Sequence, residues 1–185
     1  MALYLRRCTS LFEDGGTLLH IAPEPRLEAE LRAEGNLRYV SADKILSRTS
    51  VMTAMDVTHL GFQSQIFDVV ICNHVLEHVP DDVAAMREIR RVMKPDGWAI
   101  LQVPISSTNP ATYEDERVQS EADRQREFGQ ADHVRVYGRD YVRRLESAGF
   151  QVQEFQSVDT IGGDAVREFA LIDQETLFRA TRRDT

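Results

Sequence analysis

The sequence predicts an α/β fold with a mostly parallel sheet and helices on both of its faces. The segment 67–72 (FDVVIC) is a nearly continuous apolar run of strand length, as expected of a parallel strand that is covered on both faces. In the segment 83–93, apolar residues recur at helical spacing, and another apolar run follows at 98–103 (WAILQV). This alternation predicts right-handed βαβ units and a ligand crevice beyond the carboxyl ends of the strands.

The first half of the chain supplies three more strands and one helix. The helix, 26–34, follows a tight turn at 22–25 and is ended by Gly35. Two carboxylates, Asp43 and Asp56, come at or near the ends of the second and third strands. The strands are short apolar runs bounded by turn residues, at 17–21, 37–41 and 51–55.

The second half has the same kinds of element around one polar segment. Asp81 or Asp82 opens the helix that contains 83–93, and the turn 94–97 ends it. Residues 105–137 are polar and lack the apolar face of a core helix, so we expect them to form a cap over the crevice. The last elements are a helix at 139–148, a strand at 150–155, a short helix at 165–170 and a strand at 175–181.

Length, charge and cysteine content restrict the class of protein. A chain of 185 residues suits a single domain, 1–185. The net charge of −8 argues against a nucleic-acid partner, which would require a basic surface. No apolar run approaches the ~20 residues of a membrane span, and Cys8 and Cys72 lie in contexts too different for a disulfide framework. We therefore expect a soluble, cytoplasmic protein without nucleic-acid or membrane partners.

Asn73 and His74 follow the run 67–72 at the point where this strand ends. Polar residues at this point of an α/β sheet are candidates for ligand contact. Asn73 could also cap the next helical turn by accepting from backbone amides, and the two roles do not exclude each other.

His74, Glu77 and His78 match the zinc-protease pattern H-x-x-E-H, in which two histidines bind the metal and the glutamate acts as a base. That pattern needs a long helix, whereas Pro80 and the aspartates after it interrupt the chain within about one turn. We therefore expect no metal here, and we expect His74 to lie nearer the crevice than His78.

The carboxylates Glu24, Asp43 and Asp56 lie at or near the ends of the first three strands. A carboxylate about 20 positions beyond the first turn can accept two hydrogen bonds from the vicinal hydroxyls of a ribose. Asp43 has this spacing from Ala22, so the spacing predicts a ribose contact, with an ordinary turn aspartate as the alternative.

The segment 67–104 resembles the fourth strand, the following helix and the fifth strand of the class I S-adenosylmethionine-dependent methyltransferases, in the branch typical of small bacterial enzymes. The segment 54–62 (AMDVTHLGF) resembles the part that borders the adenine, and 132–150 resembles the part before the sixth strand. The likeness covers nearly the whole chain. It implies a Rossmann-like sheet of seven strands, mostly parallel with an antiparallel last strand, and S-adenosyl-L-methionine as the cofactor.

The turn after the first strand departs from the family pattern, which has an acidic residue in the strand and then a G-x-G-x-G turn. This chain has His20 in the strand, followed by Ala22, Pro23 and Glu24 (HIAPE). Glycines let a backbone approach its ligand, whereas prolines fix the turn and remove amide donors. We expect Glu24 to pair with the cofactor's α-ammonium or sulfonium group, or alternatively to serve as a helix-start carboxylate.

The resemblance also implies roles for residues at later strand ends. Asp56 is expected to accept from the exocyclic amino group of the adenine, and the Val57 amide to donate to a ring nitrogen. The expected cofactor-binding residues are together His20, Ala22, Pro23, Glu24, Asp43, Asp56, Val57, Asn73 and His74.

The expected reaction is methyl transfer to a small-molecule acceptor. The sulfonium already activates the methyl group, so the protein must chiefly align the reactants and exclude water. A base could assist, and His133 and His74 are the candidates, since a neutral imidazole can take a proton near neutral pH. The residues expected to shape the acceptor pocket are Tyr113, Arg135 and Tyr137 of the cap.

Two other functions are compatible with parts of the sequence. The turn without glycine suggests a non-catalytic protein, or one with altered cofactor binding, on the same fold. A nicotinamide-dependent oxidoreductase is disfavoured, because the G-x-G-x-x-G turn that holds a pyrophosphate is absent. The segment before the first strand, 2–12, is short, which implies a site that is open or is closed by the partner subunit of a homodimer.

Overall fold

The predicted strands pair into one seven-stranded sheet. The computed structural model describes residues 1–45, 51–168 and 176–183, without the side chains of residues 157 and 158. The strands are β1 Gly16–Ile21, β2 Leu37–Asp43, β3 Thr53–Ala54, β4 Phe67–Asn73, β5 Met93–Gln102, β6 Tyr113–Glu114, β7 Arg135–Val136, β8 Phe150–Gln156 and β9 Thr176–Arg182. The helices are α1 Ala2–Cys8, α2 Leu11–Asp14, α3 Pro25–Ala33, α4 Asp82–Val92, α5 Glu121–Phe128, α6 Tyr141–Ser147, α7 Ser157–Ile161 and α8 Gly163–Glu168, with a 3-10 turn at Leu76–His78.

The sheet has the strand order β3-β2-β1-β4-β5-β9-β8. The pairs among β1 to β5 are parallel, and β9 is antiparallel to both of its neighbours, β5 and β8. The expected Rossmann-like sheet with an antiparallel last strand is therefore confirmed. Because β1 and β4 lie side by side at the centre, their carboxyl ends open onto the same crevice.

Helices cover both faces of this sheet, which explains why the central strands read as continuous apolar runs. In β4, Val69 and Ile71 pack in a cluster with residues of α1, α2 and α3, whereas Val70 and Cys72 pack in a second cluster with residues of α4 and α6. Alternate residues of the strand are thus buried on opposite faces. Among the described residues, no helix is long and apolar enough to cross a membrane.

Some predicted elements differ from the observed ones. The turn expected at 94–97 lies within β5, as an irregularity in its pairing with β4. A Cβ on Gly97 would come within 3.0 Å of the carbonyl oxygens of Phe67 and Asp68, so glycine allows this segment to pack directly on β4. The third strand is shorter than the expected 51–55, and α7 was not predicted. Residues 169, 170 and 175 of the last two predicted elements lie outside the described residues.

The segment 105–137, which we call the cap, leaves the sheet after β5 and returns before α6. Ile105 forms a bridge with Tyr137, so the cap is closed at its base. It contains α5 and the small antiparallel sheet of β6 and β7. Helix α5 buries only Phe128, which agrees with the absence of an apolar face in the sequence.

Candidate active site

Two cavities meet at the carboxyl ends of β1 and β4. Cavity A, of about 810 Å³, lies beyond the ends of β1, β2 and β3 and is bordered by the 3-10 turn. Cavity B, of about 550 Å³, is lined by residues of α1, α3 and α7 and of the strands β8 and β9. Glu24, Asn73 and His74 line both cavities. Ligands bound in the two cavities would therefore meet at this shared wall.

Ala22 takes the place of a glycine in the turn after β1 by adopting a backbone conformation that glycine favours. Its φ is +49°, in the left-handed region that residues with a Cβ rarely adopt, and its amide donates to the Ala42 carbonyl at 2.7 Å. Pro23 is buried, and Pro25 occupies the first turn of α3, where its missing amide costs no helical hydrogen bond. The turn thus keeps a small residue at the wall of cavity A without any glycine.

A chain of hydrogen bonds holds Glu24 at the shared wall. His20 is fully buried; its Nδ1 lies 3.0 Å from the Tyr39 hydroxyl and its Nε2 lies 2.8 Å from Glu24 Oε2. Asn73 Nδ2 donates to Glu24 Oε1 at 2.8 Å. Since an ionised carboxylate only accepts, Nε2 of His20 carries a proton, and in the neutral ring Nδ1 accepts from Tyr39. Glu24 is the N-cap residue of α3, but its side chain makes no capping bond.

Burial of Glu24 opposes its ionisation, but the hydrogen bonds from His20 and Asn73 outweigh this effect and hold the pKa of Glu24 below its usual value. The wall between the cavities therefore carries a negative charge at neutral pH. Asn73 adds an acceptor to it, because Asn73 is buried and its Oδ1 has no hydrogen-bond partner among the described residues. The alternative that Asn73 caps a helical turn is wrong, since the 3-10 turn begins after Val75.

Of the expected cofactor-binding residues, His20 and Pro23 line neither cavity. Cavity A is lined by the other seven, Ala22, Glu24, Asp43, Asp56, Val57, Asn73 and His74. Asp43 ends β2, and its Oδ1 also accepts from the Ile45 amide at 3.2 Å, so it is a turn residue as well. Asp56 Oδ1 accepts from the amide and hydroxyl of Thr58 at 2.9 and 2.7 Å, and these hydrogen bonds lower the pKa of Asp56. The rim of cavity A therefore carries two carboxylates, one of which, Asp56, pairs with Lys44 at 3.2 Å.

The two candidate bases, His74 and His133, have different surroundings. His74 is exposed, lines both cavities, and has a φ of +53°, with its amide donating to the Gln102 carbonyl at 2.8 Å. His133 is only 6 % exposed, lines neither cavity, and packs against His78 with ring centroids 4.7 Å apart. The expected contact of His133 with the acceptor stays a prediction, since the side chain is buried against His78, which lines cavity A.

The three cap residues expected to shape an acceptor pocket also line neither cavity. Arg135 is 2 % exposed and donates to three backbone carbonyls of the segment 76–80. Tyr137 is fully buried, and its hydroxyl donates to Asp82 at 2.6 Å. Tyr113 lies on the exposed side of the cap. For Arg135 and Tyr137 this expectation is corrected, because both are buried and donate to the 3-10 turn instead of facing a cavity. For Tyr113 it stays a prediction.

Several residues of the shared wall and of cavity B had not been singled out in the sequence. Gln102 ends β5, is 7 % exposed and lines cavity B, and its Oε1 has no hydrogen-bond partner among the described residues. Gln102 is a polar residue at the end of a strand, as Asn73 is, so the same rule could have identified it as a cavity residue. Tyr4 and Arg6 of α1 line cavity B only because α1 packs beside β8, which no local pattern reveals.

The comparisons with known proteins agree with this architecture. The family model described as "Methyltransferase domain" matches residues 7–101, more than half of the chain. The chain belongs to this methyltransferase domain family, and the resemblance to class I S-adenosylmethionine-dependent methyltransferases is confirmed.

Individual relatives are matched over shorter stretches or at lower identity. The ubiquinone biosynthesis O-methyltransferase of Nitrosospira multiformis is 34 % identical over 73 residues, which are 40 % of this chain and 28 % of the relative. The 1,6-didemethyltoxoflavin-N1-methyltransferase of Burkholderia thailandensis, solved with bound S-adenosylhomocysteine, has a TM-score of 0.62 at 16 % identity over 99 % of this chain and 76 % of that one. The [4+2]-cyclase SpnF has a TM-score of 0.65 at 15 % identity over 100 % of this chain and 80 % of that one. The chain thus spans well under half of the curated relative, and the two structures establish the fold.

Proposed function

We propose that the protein transfers a methyl group from S-adenosylmethionine, bound in cavity A, to a small-molecule acceptor, bound in cavity B. The observation that carries this proposal is the wall of Glu24, Asn73 and His74, which borders both cavities at the centre of the sheet edge. A group transferred between two ligands must cross at a point where both are in contact. Membership of the methyltransferase domain family supports this reaction.

The residues around cavity A fit this cofactor. Ionised Glu24 and the unpartnered Oδ1 of Asn73 offer acceptors to its cationic groups, the α-ammonium and the sulfonium. Asp43, at the end of β2, would accept from the ribose hydroxyls, and Asp56 with the Val57 amide would contact the adenine. Ala22, with its left-handed backbone, leaves room beside this wall that a larger side chain would fill.

When bound, the cofactor supplies a methyl group already activated by its sulfonium. The chain's own residues then have to position the acceptor, exclude water and remove a proton where the acceptor has one. Cavity B suits the first two tasks, because Leu27, Phe155, Ile161 and Leu177 provide apolar walls and its volume lies within the roughly 300 to 1,000 Å³ of small-molecule sites. His74 is placed to take the proton, since it is exposed at the junction of the cavities.

Two observations favour a second function, in which the fold binds the cofactor but catalyses something else. The structural neighbour SpnF is by name a [4+2]-cyclase, and the turn after β1 lacks the usual glycines. Calorimetric titration with S-adenosylmethionine, S-adenosylhomocysteine and NAD, followed by incubation with methyl-labelled cofactor and candidate acceptors, separates these functions. Binding of the first two ligands with label transfer is expected, whereas binding without transfer to any acceptor supports the second function. Preferential binding of NAD would overturn both.

Replacing Asp43 with alanine is expected to weaken binding of S-adenosylmethionine about ten-fold or more. The loss of charge-assisted hydrogen bonds to the ribose should cost ~1.5 to 3 kcal/mol. Calorimetry on the folded variant provides the measurement. Asp96→Ala, which removes an exposed aspartate at the irregular part of β5, serves as the matched control and should bind normally. An affinity equal to that of the wild type in Asp43→Ala would remove the ribose assignment.

Replacing His74 with alanine is expected to lower kcat about 100-fold with little change in cofactor affinity, because general-base assistance contributes about 10²- to 10⁴-fold. The exposed His59, which lines neither cavity, provides the control His59→Ala. Turnover measured with a saturating acceptor, beside the calorimetric affinity, tests this role. If His74→Ala turns over as fast as His59→Ala, the reaction needs no base from this position.

A further inference from the structure

Glu77, His78 and His133 face one another beneath the edge of cavity A. One potential ligand atom from each, a carboxylate oxygen and two ring nitrogens, lies within 4.8 Å of the others. Glu77 and His78 belong to the 3-10 turn, and His133 belongs to the cap, 55 residues further along the chain. The three side chains therefore join two parts of the molecule that only tertiary packing brings together.

One of the two oxygens of the buried Glu77 carboxylate has no hydrogen-bond partner among the described residues. Glu77 is 2 % exposed, and the oxygen concerned is Oε2. Its Oε1 lies 3.4 Å from His74 Nδ1. A buried carboxylate oxygen without a partner is costly, and a bound cation would remove that cost.

The surroundings of His78 also resemble those of a metal ligand. Its Nδ1 lies 3.2 Å from the carbonyl oxygen of Asp132 and 3.3 Å from the carboxylate of the same residue. Ligating imidazoles in proteins are commonly oriented by a carbonyl or carboxylate oxygen at the other ring nitrogen. His133, 6 % exposed, packs edge-on against His78, so its ring is held in place by packing.

We propose that Glu77, His78 and His133 bind a divalent transition-metal ion of the zinc type. Two imidazoles and one carboxylate are a ligand set found in zinc and non-haem iron sites, which keep further positions for water or another ligand. Bonds of ~2.0 to 2.2 Å place tetrahedral ligand atoms about 3.4 Å apart, so atoms now up to 4.8 Å apart must approach by at most about 1.4 Å. Magnesium and calcium fit less well, because they prefer oxygen ligands throughout.

This site differs from the one that the H-x-x-E-H pattern suggests. In that pattern the two histidines of one helix bind together, whereas here Glu77 and His78 lie on a single 3-10 turn and the second imidazole comes from the cap. His78 and Asp132 line cavity A, so the ion would lie at the edge of this cavity and would tie the cap to the sheet. The proposal rests on these residues alone and does not depend on methyl transfer.

The test is titration of the chelator-treated full chain with Co²⁺, followed by displacement with Zn²⁺. We expect one equivalent of Co²⁺ to bind with visible d–d absorption, and Zn²⁺ to raise the Tm of the protein by binding to its folded state. His78→Ala and His133→Ala should each weaken binding at least 10- to 100-fold and abolish the Tm increase. His59→Ala, which changes an exposed histidine outside the cluster, should behave as the wild type.

Three results would overturn the proposal: no saturable binding, equal affinity in the wild type and in both cluster variants, or a thiolate charge-transfer band that assigns the ion to a cysteine. Circular dichroism of the metal-free variants shows whether each still folds. Because Glu77 is buried and its replacement could disturb folding, the two histidine variants carry the test. Binding of S-adenosylmethionine, measured on the metal-free protein, reports on the proposed function separately.

Discussion

Replacing Asp82 with alanine is expected to lower the free energy of unfolding by about 3 to 5 kcal/mol, the usual cost of removing one partner from a buried ion pair. Asp82 is 1 % exposed, and its two oxygens accept from the Arg144 guanidinium at 2.7 and 2.8 Å. The Tyr137 hydroxyl donates to the same carboxylate, and the buried Arg135 lies 3.9 Å away. Alanine would remove the acceptor of the Tyr137 hydroxyl and of Arg144 Nε, whereas Glu114 would still accept from Arg144 and Arg135.

Denaturant or thermal unfolding measures this loss, which corresponds to roughly 6 to 20 °C in Tm for a domain of this size. Asp81→Ala is the matched control, because it removes the neighbouring aspartate, which is exposed and only caps α4 by accepting from the Ala84 amide at 2.9 Å. Loss of a cap should cost only about 1 kcal/mol. Equal destabilisation by the two variants would mean that the buried network adds nothing beyond the cap.

Arg135 connects Asp82 to the 3-10 turn beside cavity A. Its guanidinium binds backbone carbonyls of the segment 76–80, the segment that carries Glu77 and His78. Asp82 thus stabilises the 3-10 turn that borders cavity A through two cap residues, Arg135 and Tyr137. In Asp82→Ala, amide exchange should rise first at β7 and at the 3-10 turn, because Arg135 and Tyr137, which both donate to the Leu76 carbonyl, lose the carboxylate beside them.

The sequence alone predicted which residues border the crevice in those cases in which one physical rule was enough. Asn73, Asp43 and Asp56 were found because polar residues at the carboxyl ends of adjacent parallel strands open onto one crevice. That rule requires only the strand boundaries, which apolar runs mark well. The same reasoning applied to Gln102 would have found a residue of cavity B.

Roles that depend on contacts between distant parts of the chain were not predictable. Arg135 and Tyr137 were predicted to bind a ligand because they are charged or aromatic and lie in the cap. In the structure both are buried and form hydrogen bonds with the segment 76–82 instead. The packing of His133 against His78 of the 3-10 turn was not predictable for the same reason. The left-handed φ of Ala22 was also invisible in the sequence, because alanine gives no sign of a conformation that glycine usually marks.

Replacing Glu24 with glutamine is expected to weaken binding of S-adenosylmethionine at least ten-fold while the protein keeps nearly all of its stability. The change removes the negative charge at the wall between the cavities, and an interaction with a charged group contributes ~1.5 to 3 kcal/mol. The glutamine can still accept from Asn73 through its carbonyl oxygen. Its amide group can donate to His20 once the His20 proton moves to Nδ1 and is donated to the Tyr39 hydroxyl oxygen.

The pH dependence of affinity provides a second measurement on the same residue. Since its hydrogen bonds hold the pKa of Glu24 below the usual value, its charge is present throughout the neutral and mildly acidic range and is lost only as the pH falls through that lowered pKa. Wild-type affinity should therefore show no Glu24-linked decrease between about pH 5 and 8, and the ratio of wild-type to Glu24→Gln affinity should stay constant there.

Glu30→Gln is the control for charge alone, because Glu30 lies on the same helix, α3, and lines cavity B but not cavity A. It should bind S-adenosylmethionine as the wild type does. Calorimetric affinity and Tm measured on both variants then distinguish the two roles considered for Glu24. Reduced affinity with an unchanged Tm in Glu24→Gln supports a charge that faces the cofactor, whereas a lowered Tm with intact affinity makes Glu24 a structural carboxylate at the start of α3, bound to His20 and Asn73.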